Sequence, residues 1–396
     1  MAQPGHEQAV EDRLHMARAL ELADLGRFSA DPNPRVGCVL VRDGEVVGQG
    51  LHWRAGEAHA EVNALREAGE AARGSTVYVT LEPCSHHGRT PPCSEALIAA
   101  GVARVVIAMQ DPNPHVNGGG VDALRAAGIE VTTGVLEAEA RALNPGFVQR
   151  MEHGRPWVRI KLAASLDGRT AMASGESRWI TGEAARRDVQ LWRARAGAIL
   201  TGSGTVIADD PRLTVRMKPH QLAAQAGFPD DPRYSDLPPR QPLRVILDAR
   251  LRTPPGAQIL QSGPVWILTG PEAASSPAAD ALRGHGAEVR PIPLASESAE
   301  GGLDLGTVLA ELARAEVNEL HVESGPGLAG ALARGGWVDE WLLYQAPLLL
   351  GSSARPLVEW PLARMDERAE LEILETRWVG NSLRLRARPR RQGDAH

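Results

Sequence analysis

At 396 residues the chain exceeds a single typical domain, and hydrophobic residues at 43% are enough for more than one core. A net charge of -6 argues against a protein built to grip nucleic acid, and no apolar run approaches the ~20 residues of a membrane span. The polar start from Met1 to Val10 lacks the apolar stretch of a signal peptide, and three cysteines cannot form a disulfide framework, so a cytoplasmic location is expected.

Residues 11–28 carry apolar positions at helical spacing (Leu14, Ala17, Leu20, Leu22, Leu25) and predict a helix. Residues 36–41 are a short apolar, β-branched run in which Cys38 reads as a buried strand residue. Arg42-Asp43-Gly44-Glu45 then reads as a hairpin turn into Val46-Val47. A helix over about 59–71, a strand at 76–80, a cysteine loop, a helix over about 92–100 and a strand at 104–108 follow. A Gly-rich loop from Asp111 to Gly120 leads to a helix from 121 and a strand at 130–132. Strands alternating with helices predict an α/β sheet with crossover connections.

Asn144 to Pro156 reads as a linker, with polar residues, Gly and Pro between periodic stretches. A second series of strands then begins, at 157–163, 198–201, 243–247, 265–268, 319–322 and 341–345. The expected domains are therefore 1–147 and 148–390. Within the second, Lys218 to Gln241 is Pro-rich and aperiodic and reads as an inserted surface loop. The basic tail from Arg386 to His396 reads as a frayed terminus.

The chemistry-bearing motif is His59-Ala60-Glu61 followed by Pro83-Cys84 and Pro92-Cys93. Structural zinc sites are usually closed by four protein ligands, whereas catalytic sites leave one position for water. Here the set stops at His59, Cys84 and Cys93, and Glu61 is left over to move protons. His59 and Glu61 are two apart and do not share a helix face, so both can face one metal only from the first turn of a helix pointing end-on at it. Gly56 permits that abrupt entry, and Pro91-Pro92 places Cys93 at a second helix start, where a thiol ionises more easily. Two thiolates and a neutral imidazole cancel the charge of Zn²⁺ and still let a held water ionise near neutral pH. Glu61 would take the water's proton and deliver it to a departing amine, leaving a carbonyl and ammonia, as zinc deaminases do on heterocycles. The alternatives are a structural zinc knuckle, or a fourth ligand from His86 or His87 in the same loop. The Cys84–Cys93 spacing is wider than in the common deaminase signature, where two residues intervene.

Those residues have a familiar frame. His59 to Leu65 (HAEVNAL) and Thr80 to Cys93 (TLEPCSHHGRTPPC), with Ala30 to Gly37 (ADPNPRVG), resemble the deaminase half of the bifunctional bacterial riboflavin-biosynthesis enzymes, in which the wide Cys spacing is the rule. Lys161 to Ala171 (KLAASLDGRTA), Ser174 to Thr181 (SGESRWIT), Ala208 to Pro211 and Val322 to Pro326 resemble the reductase half. The resemblance spans roughly residues 11–385. It implies a cytidine-deaminase-like zinc domain followed by a domain similar in fold to dihydrofolate reductase. The first would deaminate 2,5-diamino-6-(5-phosphoribosylamino)pyrimidin-4-one, and the second would use NADPH to reduce the opened ribose to ribityl. It also implies that Asn33, His52, His86 and Arg89 contact the first substrate. A guanidinium at Arg89 suits the ribose phosphate, which it can hold bidentately.

Gly325-Pro326-Gly327-Leu328-Ala329-Gly330 spells GxGxxG after a strand and before a helix, where backbone amides can approach a diphosphate. A dinucleotide-binding Rossmann fold wants this motif in the first βαβ unit, with an acid about 20 residues on. Here it comes late and no acid follows, so the cradle is retained and the Rossmann fold rejected. Gly202-Ser203-Gly204 lacks the third glycine and is a weak signal alone. The resemblance adds Ala163, Trp179, Thr205 and Asp209 as NADP contacts. It assigns Ser177, Arg193, Leu213, Arg216 and Glu323 to the second substrate, with Arg193 and Arg216 as phosphate clamps, and Lys161 is expected at the same substrate site. Ala249 departs from the Ser often found in the family, which removes one cofactor contact. Lys161 and Asp209 are both candidates to protonate the sugar oxygen. Competing readings are a deaminase of free nucleosides or a tRNA base, and a zinc-stabilised nucleotide-binding module without catalysis. The expected partners are small phosphoribosyl pyrimidines, not nucleic acid or membrane, with homo-oligomerisation left open.

Overall fold

The computed structural model describes residues 4–85, 92–114, 116–177, 179–229, 231–235, 237, 240–295 and 302–390. The chain divides into two compact units, Met1–Gly154 and Arg155–His396.

In the first unit, α1 (Pro4–Leu25) precedes a hairpin of β1 (Gly37–Arg42) and β2 (Glu45–Leu51). Then come α2 (Ala60–Ala68), β3 (Thr76–Leu81), α3 (Cys93–Ala100), β4 (Arg104–Met109) and α4 (Gly119–Ala126). β5 (Glu130–Thr133), α5 (Glu137–Leu143) and α6 (Pro145–His153) complete it. Among the described residues the strands form a 5-stranded sheet ordered β2-β1-β3-β4-β5, antiparallel across β2-β1-β3 and parallel beyond. The hairpin turns through Asp43 and Gly44, both at positive φ (52 and 81), as a type I′ turn requires. β1, β3 and β4 are buried almost end to end, which is why they read as unbroken apolar runs. Cys38 is fully buried within β1, as expected.

Glycine on β2 lets α2 lie directly on the sheet. A Cβ at Gly48 would stand 2.4 Å from the Ala64 carbonyl oxygen, and one at Gly50 2.3 Å from that of Ala60. α1 is anchored by a buried fork: Arg104 Nη1 and Nη2 donate to Asp12 Oδ1 and Oδ2 at 2.7 and 2.8 Å, and Tyr78 Oη donates to Oδ1 at 3.1 Å.

The segment expected as a linker is α6. Pro145 occupies its first turn, where the missing N–H costs nothing, and Phe147 and Val148 pack into the first core. The first unit therefore runs to Gly154 instead of ending at 147.

The second unit opens with β6 (Trp157–Ser165), β7 (Arg169–Ala171), α7 (Glu183–Arg195), β8 (Ala198–Gly202), α8 (Ser203–Asp209) and α9 (Pro219–Ala226). It continues with β9 (Leu243–Leu247), β10 (Val265–Thr269), α10 (Pro277–Gly284), β11 (Ala287–Pro291), α11 (Leu305–Arg314), β12 (Glu319–Glu323) and α12 (Pro326–Arg334). β13 (Glu340–Ala346), β14 (Arg355–Pro356), β15 (Leu371–Val379) and β16 (Ser382–Pro389) close it. Among the described residues a 9-stranded sheet runs β11-β10-β9-β8-β12-β6-β13-β16-β15, parallel as far as β13 and antiparallel across β13-β16-β15. β7 and β14 pair separately.

Two expectations fail here. The stretch from 218 to 241 contains α9 and a helical turn at Pro232–Tyr234, with Leu222, Ala223 and Tyr234 buried; Pro219 and Pro232 start helical turns instead of excluding them. Arg386 to Pro389 is no frayed tail but the end of β16, hydrogen-bonded between two strands.

Candidate active sites

The first site is built from backbone positions that the fold already fixes. His59 caps α2 with an extended backbone (φ -72, ψ 164), and Glu61 lies in the first turn, 3% exposed. Cys84 follows β3, and Cys93 opens α3 after Pro92 at the cap. His59 Nδ1 stands 3.2 Å from Cys93 Sγ and 3.7 Å from Cys84 Sγ, and the three donor atoms lie within 4.8 Å of one another. With Zn–S near ~2.3 Å and Zn–N near ~2.0 Å, a tetrahedral zinc spaces its donors by about 3.5 Å, so this set fits the metal. The Cys93 thiol and amide, the latter 3.3 Å from Cys84 Sγ, hold the Cys84 thiol well below its ordinary range. Burial pushes the Glu61 carboxyl up.

Asn33 and His52 come together beside this set. His52 Nδ1 lies 3.2 Å from the Ala58 carbonyl, and Asn33 Nδ2 lies 3.0 Å from His52 Nε2. A carbonyl only accepts, so Nδ1 carries the proton and Nε2 accepts from the amide. Burial also lowers the His52 pKa, consistent with a neutral ring, which sits edge-on to His59 at 5.3 Å. The expected contacts His86 and Arg89 lie outside the described residues, as does His87.

Glu82 was not among the residues expected at the site. Its buried carboxylate accepts backbone N–H bonds from Asp111, Gly118, Gly120 and Val121 at 3.0–3.2 Å. The available signal was its place in Glu82-Pro83-Cys84, immediately before a ligand.

The second site is a cavity of about 990 Å³ at the carboxyl ends of the parallel strands, where open α/β sheets bind ligands. Lys161, Ala163, Ser177, Trp179, Thr205 and Asp209 line it. So do Arg193, Leu213, Arg216, Glu323 and the Gly325-Pro326-Gly327-Leu328 run. Gly325 N donates to Thr205 Oγ1 at 3.2 Å, which joins the two glycine-bearing turns after β8 and β12. Among the described residues a Cβ at Gly204 or Gly325 would meet nothing within 4 Å, and Ser324 Oγ is buried without a hydrogen-bond partner; an open cradle of this kind fits a diphosphate at the α12 N-terminus.

Ala329 and Gly330 do not line the cavity. Ala329 is fully buried in the core, and a Cβ at Gly330 would stand 2.1 Å from the Glu359 carbonyl oxygen. The last glycine of the motif therefore serves close packing, not the ligand.

Arg193 is committed within the protein. Its Nε and Nη2 donate to Glu323 at 2.5 and 3.0 Å and its Nη1 to the Thr214 carbonyl at 3.0 Å. Burial opposes charge on Glu323, but Arg193 outweighs it and holds the carboxyl well below its usual range. The Arg216 guanidinium, by contrast, has no hydrogen-bond partner among the described residues; only its backbone is held, N donating to Gln190 Oε1 at 2.8 Å. Lys161 likewise has no hydrogen-bond partner there, and burial lowers its pKa. Arg186, Arg212 and Arg355 also face the cavity, and nothing in their sequence neighbourhoods marked them.

Comparison with known proteins gives these sites their class. Residues 9–109 match the model of the cytidine and deoxycytidylate deaminase zinc-binding region, and residues 156–384 match that of the RibD C-terminal domain. The chain thus joins a zinc-binding, cytidine-deaminase-like domain to a reductase domain of dihydrofolate-reductase-like fold. It is 51% identical over 373 residues to the riboflavin biosynthesis protein RibD of Escherichia coli K12, covering 94% of this chain and 97% of that one. RibD of Acinetobacter baumannii superimposes with a TM-score of 0.85 at 44% identity, covering 97% of this chain and 100% of the other. A Thermotoga maritima structure described as a diaminohydroxyphosphoribosylaminopyrimidine deaminase/5-amino-6-(5-phosphoribosylamino)uracil reductase gives 0.80 at 31% identity, covering 96% and 99%. The chain belongs to the RibD family, the bifunctional deaminase/reductases of riboflavin biosynthesis.

Proposed function

We propose that the two sites act in succession on one phosphoribosylated pyrimidine, with zinc and NADPH as cofactors. The first converts 2,5-diamino-6-(5-phosphoribosylamino)pyrimidin-4-one to 5-amino-6-(5-phosphoribosylamino)uracil, and the second reduces the ribosyl group to ribityl. The observation that carries the first step is the convergence of His59 Nδ1, Cys84 Sγ and Cys93 Sγ within 4.8 Å, with Glu61 buried on the same helix start.

His59, Cys84 and Cys93 would hold zinc, which when bound would supply a Lewis acid able to acidify a water. Glu61 is not a ligand; its carboxylate takes the proton of the attacking water and hands it to the leaving amine. The His52 ring keeps Asn33 in place, and because the Asn33 amide nitrogen is engaged by His52, its oxygen is left to accept from the pyrimidine. Arg89 lies in the loop expected to take the ribose phosphate, and His86 belongs to the same group of contacts.

In the second site NADPH, when bound, supplies the hydride. The Gly325–Leu328 run and Thr205 form the diphosphate cradle, with Ala163, Trp179 and Asp209 along the same cavity wall. Arg216 serves as the phosphate clamp, since Arg193 is held by Glu323. Lys161, lowered by burial and without a hydrogen-bond partner among the described residues, donates the proton to the sugar oxygen as the ring opens. Both substrates are small molecules, and the expected compartment is the cytoplasm; among the described residues no helix is long and apolar enough to cross a membrane.

The test is ammonia release and NADPH oxidation by zinc-loaded protein given the diaminopyrimidine ribose phosphate. Ammonia followed by NADPH loss is expected. Neither signal from folded, zinc-bound protein would overturn the reading; ammonia alone would overturn its second half.

A further inference from the structure

Glu82 is 3% exposed, and the hydrogen-bond donors around its carboxylate are backbone amides. Oε2 accepts from Asp111 N at 3.2 Å and Gly118 N at 3.1 Å; Oε1 accepts from Gly120 N at 3.0 Å and Val121 N at 3.2 Å. The last two belong to the first turn of α4, where a negative charge is favoured. Four donors on two oxygens is a task for a carboxylate, because a neutral amide of the same shape accepts on one atom only.

These bonds draw the Asp111–Val121 loop against the strand end that carries Cys84. The approach is close: a Cβ at Gly120 would stand 2.0 Å from the Pro83 carbonyl oxygen, and one at Gly119 2.6 Å from Ser85 Oγ. On its other side Cys84 is held by α3, with Ser94 N and Oγ donating to its carbonyl at 3.2 and 3.1 Å. Cys84 therefore sits between a helix start and a loop, and Glu82 fixes the loop.

We propose that Glu82 is a positioning residue for the zinc site, tying the Asp111–Val121 loop to the Cys84 strand end and so setting where Cys84 Sγ stands relative to His59 Nδ1 and Cys93 Sγ. The inference rests on the assignment of those three residues as zinc ligands. Glu82→Gln puts an NH₂ group against two amide donors while keeping the side chain's size. Its zinc is lost to a chelator faster by on the order of 10- to 100-fold, the range typical of residues that orient metal ligands. The thiolate-to-metal absorption of the cobalt-substituted protein shifts as well, with far-ultraviolet circular dichroism unchanged. Glu82→Asp, which keeps both acceptor oxygens, recovers part of the retention.

The experiment uses the full chain, with zinc content of the unaltered protein and of Cys84→Ser measured alongside. If the unaltered protein binds no zinc, or Cys84→Ser keeps it, the ligand assignment fails and the proposal with it. If Cys84→Ser loses zinc but Glu82→Gln matches the unaltered protein in chelator rate and cobalt spectrum, the Glu82 proposal alone is wrong. Should Glu82→Gln not fold, Gly120→Ala decides, since it leaves the carboxylate intact and presses on Pro83 from the loop side. Faster zinc loss in Gly120→Ala supports the coupling of loop and ligand, and unchanged loss overturns it.

Discussion

The two sites are specified in opposite ways. The zinc site needs particular donor atoms at short range, so its residues sit on local features: the cap of α2, the exit of β3 and the first residue of α3. The reductase cavity needs shape, small residues and a few charges. It draws on the ends of β6, β8 and β12 and on segments near 177, 213 and 355, which share no local pattern. A chelating set thus announces itself in a sequence, whereas a cavity does not.

The sharpest way to break that contrast is to disable one site and read the other. Glu61→Gln should lower ammonia release by at least ~10²-fold, the lower end of what a general acid–base contributes, while reduction of the deaminated intermediate persists. Stripping zinc with a chelator should do the same. An equal fall in reduction by folded protein would show that the sites are not independent.

Within the cavity, the two arginines once equivalent by resemblance should separate. Arg216→Gln removes a guanidinium that no described residue holds by a hydrogen bond, so the KM for the phosphorylated substrate should rise roughly 10- to 100-fold with stability nearly unchanged. Arg193→Gln instead leaves the largely buried Glu323 carboxylate without the guanidinium hydrogen-bonded to it, and should cost up to about 3–5 kcal/mol in unfolding measurements. If the two variants exchange these phenotypes, the assignment of roles is inverted.

How much was legible follows the same division. The strands of the first unit were readable because β1, β3 and β4 are continuous apolar runs, and the donors were readable from residue type and spacing. β16 was not, because one of its faces carries Arg384 and Arg386 where an apolar residue would mark a strand. Arg384 donates to Asp188 and Glu375, and Arg386 to Glu340 and Glu375, partners that come from α7, β13 and β15. A strand whose buried face is charged looks like a basic tail until its acids are in view. α6 and α9 were missed for a simpler reason: Pro145 and Pro219 sit at helix starts and were weighed as breakers. Glu82 was legible only as a neighbour of Cys84; its role was not, since its partners are backbone amides, which leave no trace in residue identity.

The glycine motif offers a finer test, with smaller effects. Gly325→Ala adds a methyl where the protein has open space, so the fold should tolerate it while NADPH binding weakens roughly five- to tenfold. Gly330→Ala drives a methyl into the Glu359 carbonyl and should lower stability with a smaller effect on cofactor affinity. Equal loss of NADPH affinity in both would restore the whole motif to the ligand.

The charged layer under β16 yields the last prediction. Burial opposes ionisation of Glu340, but Arg159 and Arg386 outweigh it and hold its carboxyl at about 2, against an ordinary 4.5. A folded pKa below the unfolded one stabilises the fold above the unfolded value and ceases to do so as pH falls through the folded one. The second unit should therefore lose stability between pH 4.5 and about 2 from this group. Arg386→Gln removes one cation and leaves Arg159 at 2.8 Å, so the Glu340 pKa rises part of the way back. The variant should be less stable than the parent at neutral pH. The gap should narrow as pH falls toward about 2, because acid removes from the parent what the variant never had. Urea midpoints that stay equally far apart across that range would mean that Arg386 stabilises β16 by packing on Trp192, over whose ring its guanidinium lies at 5.2 Å, and not through Glu340.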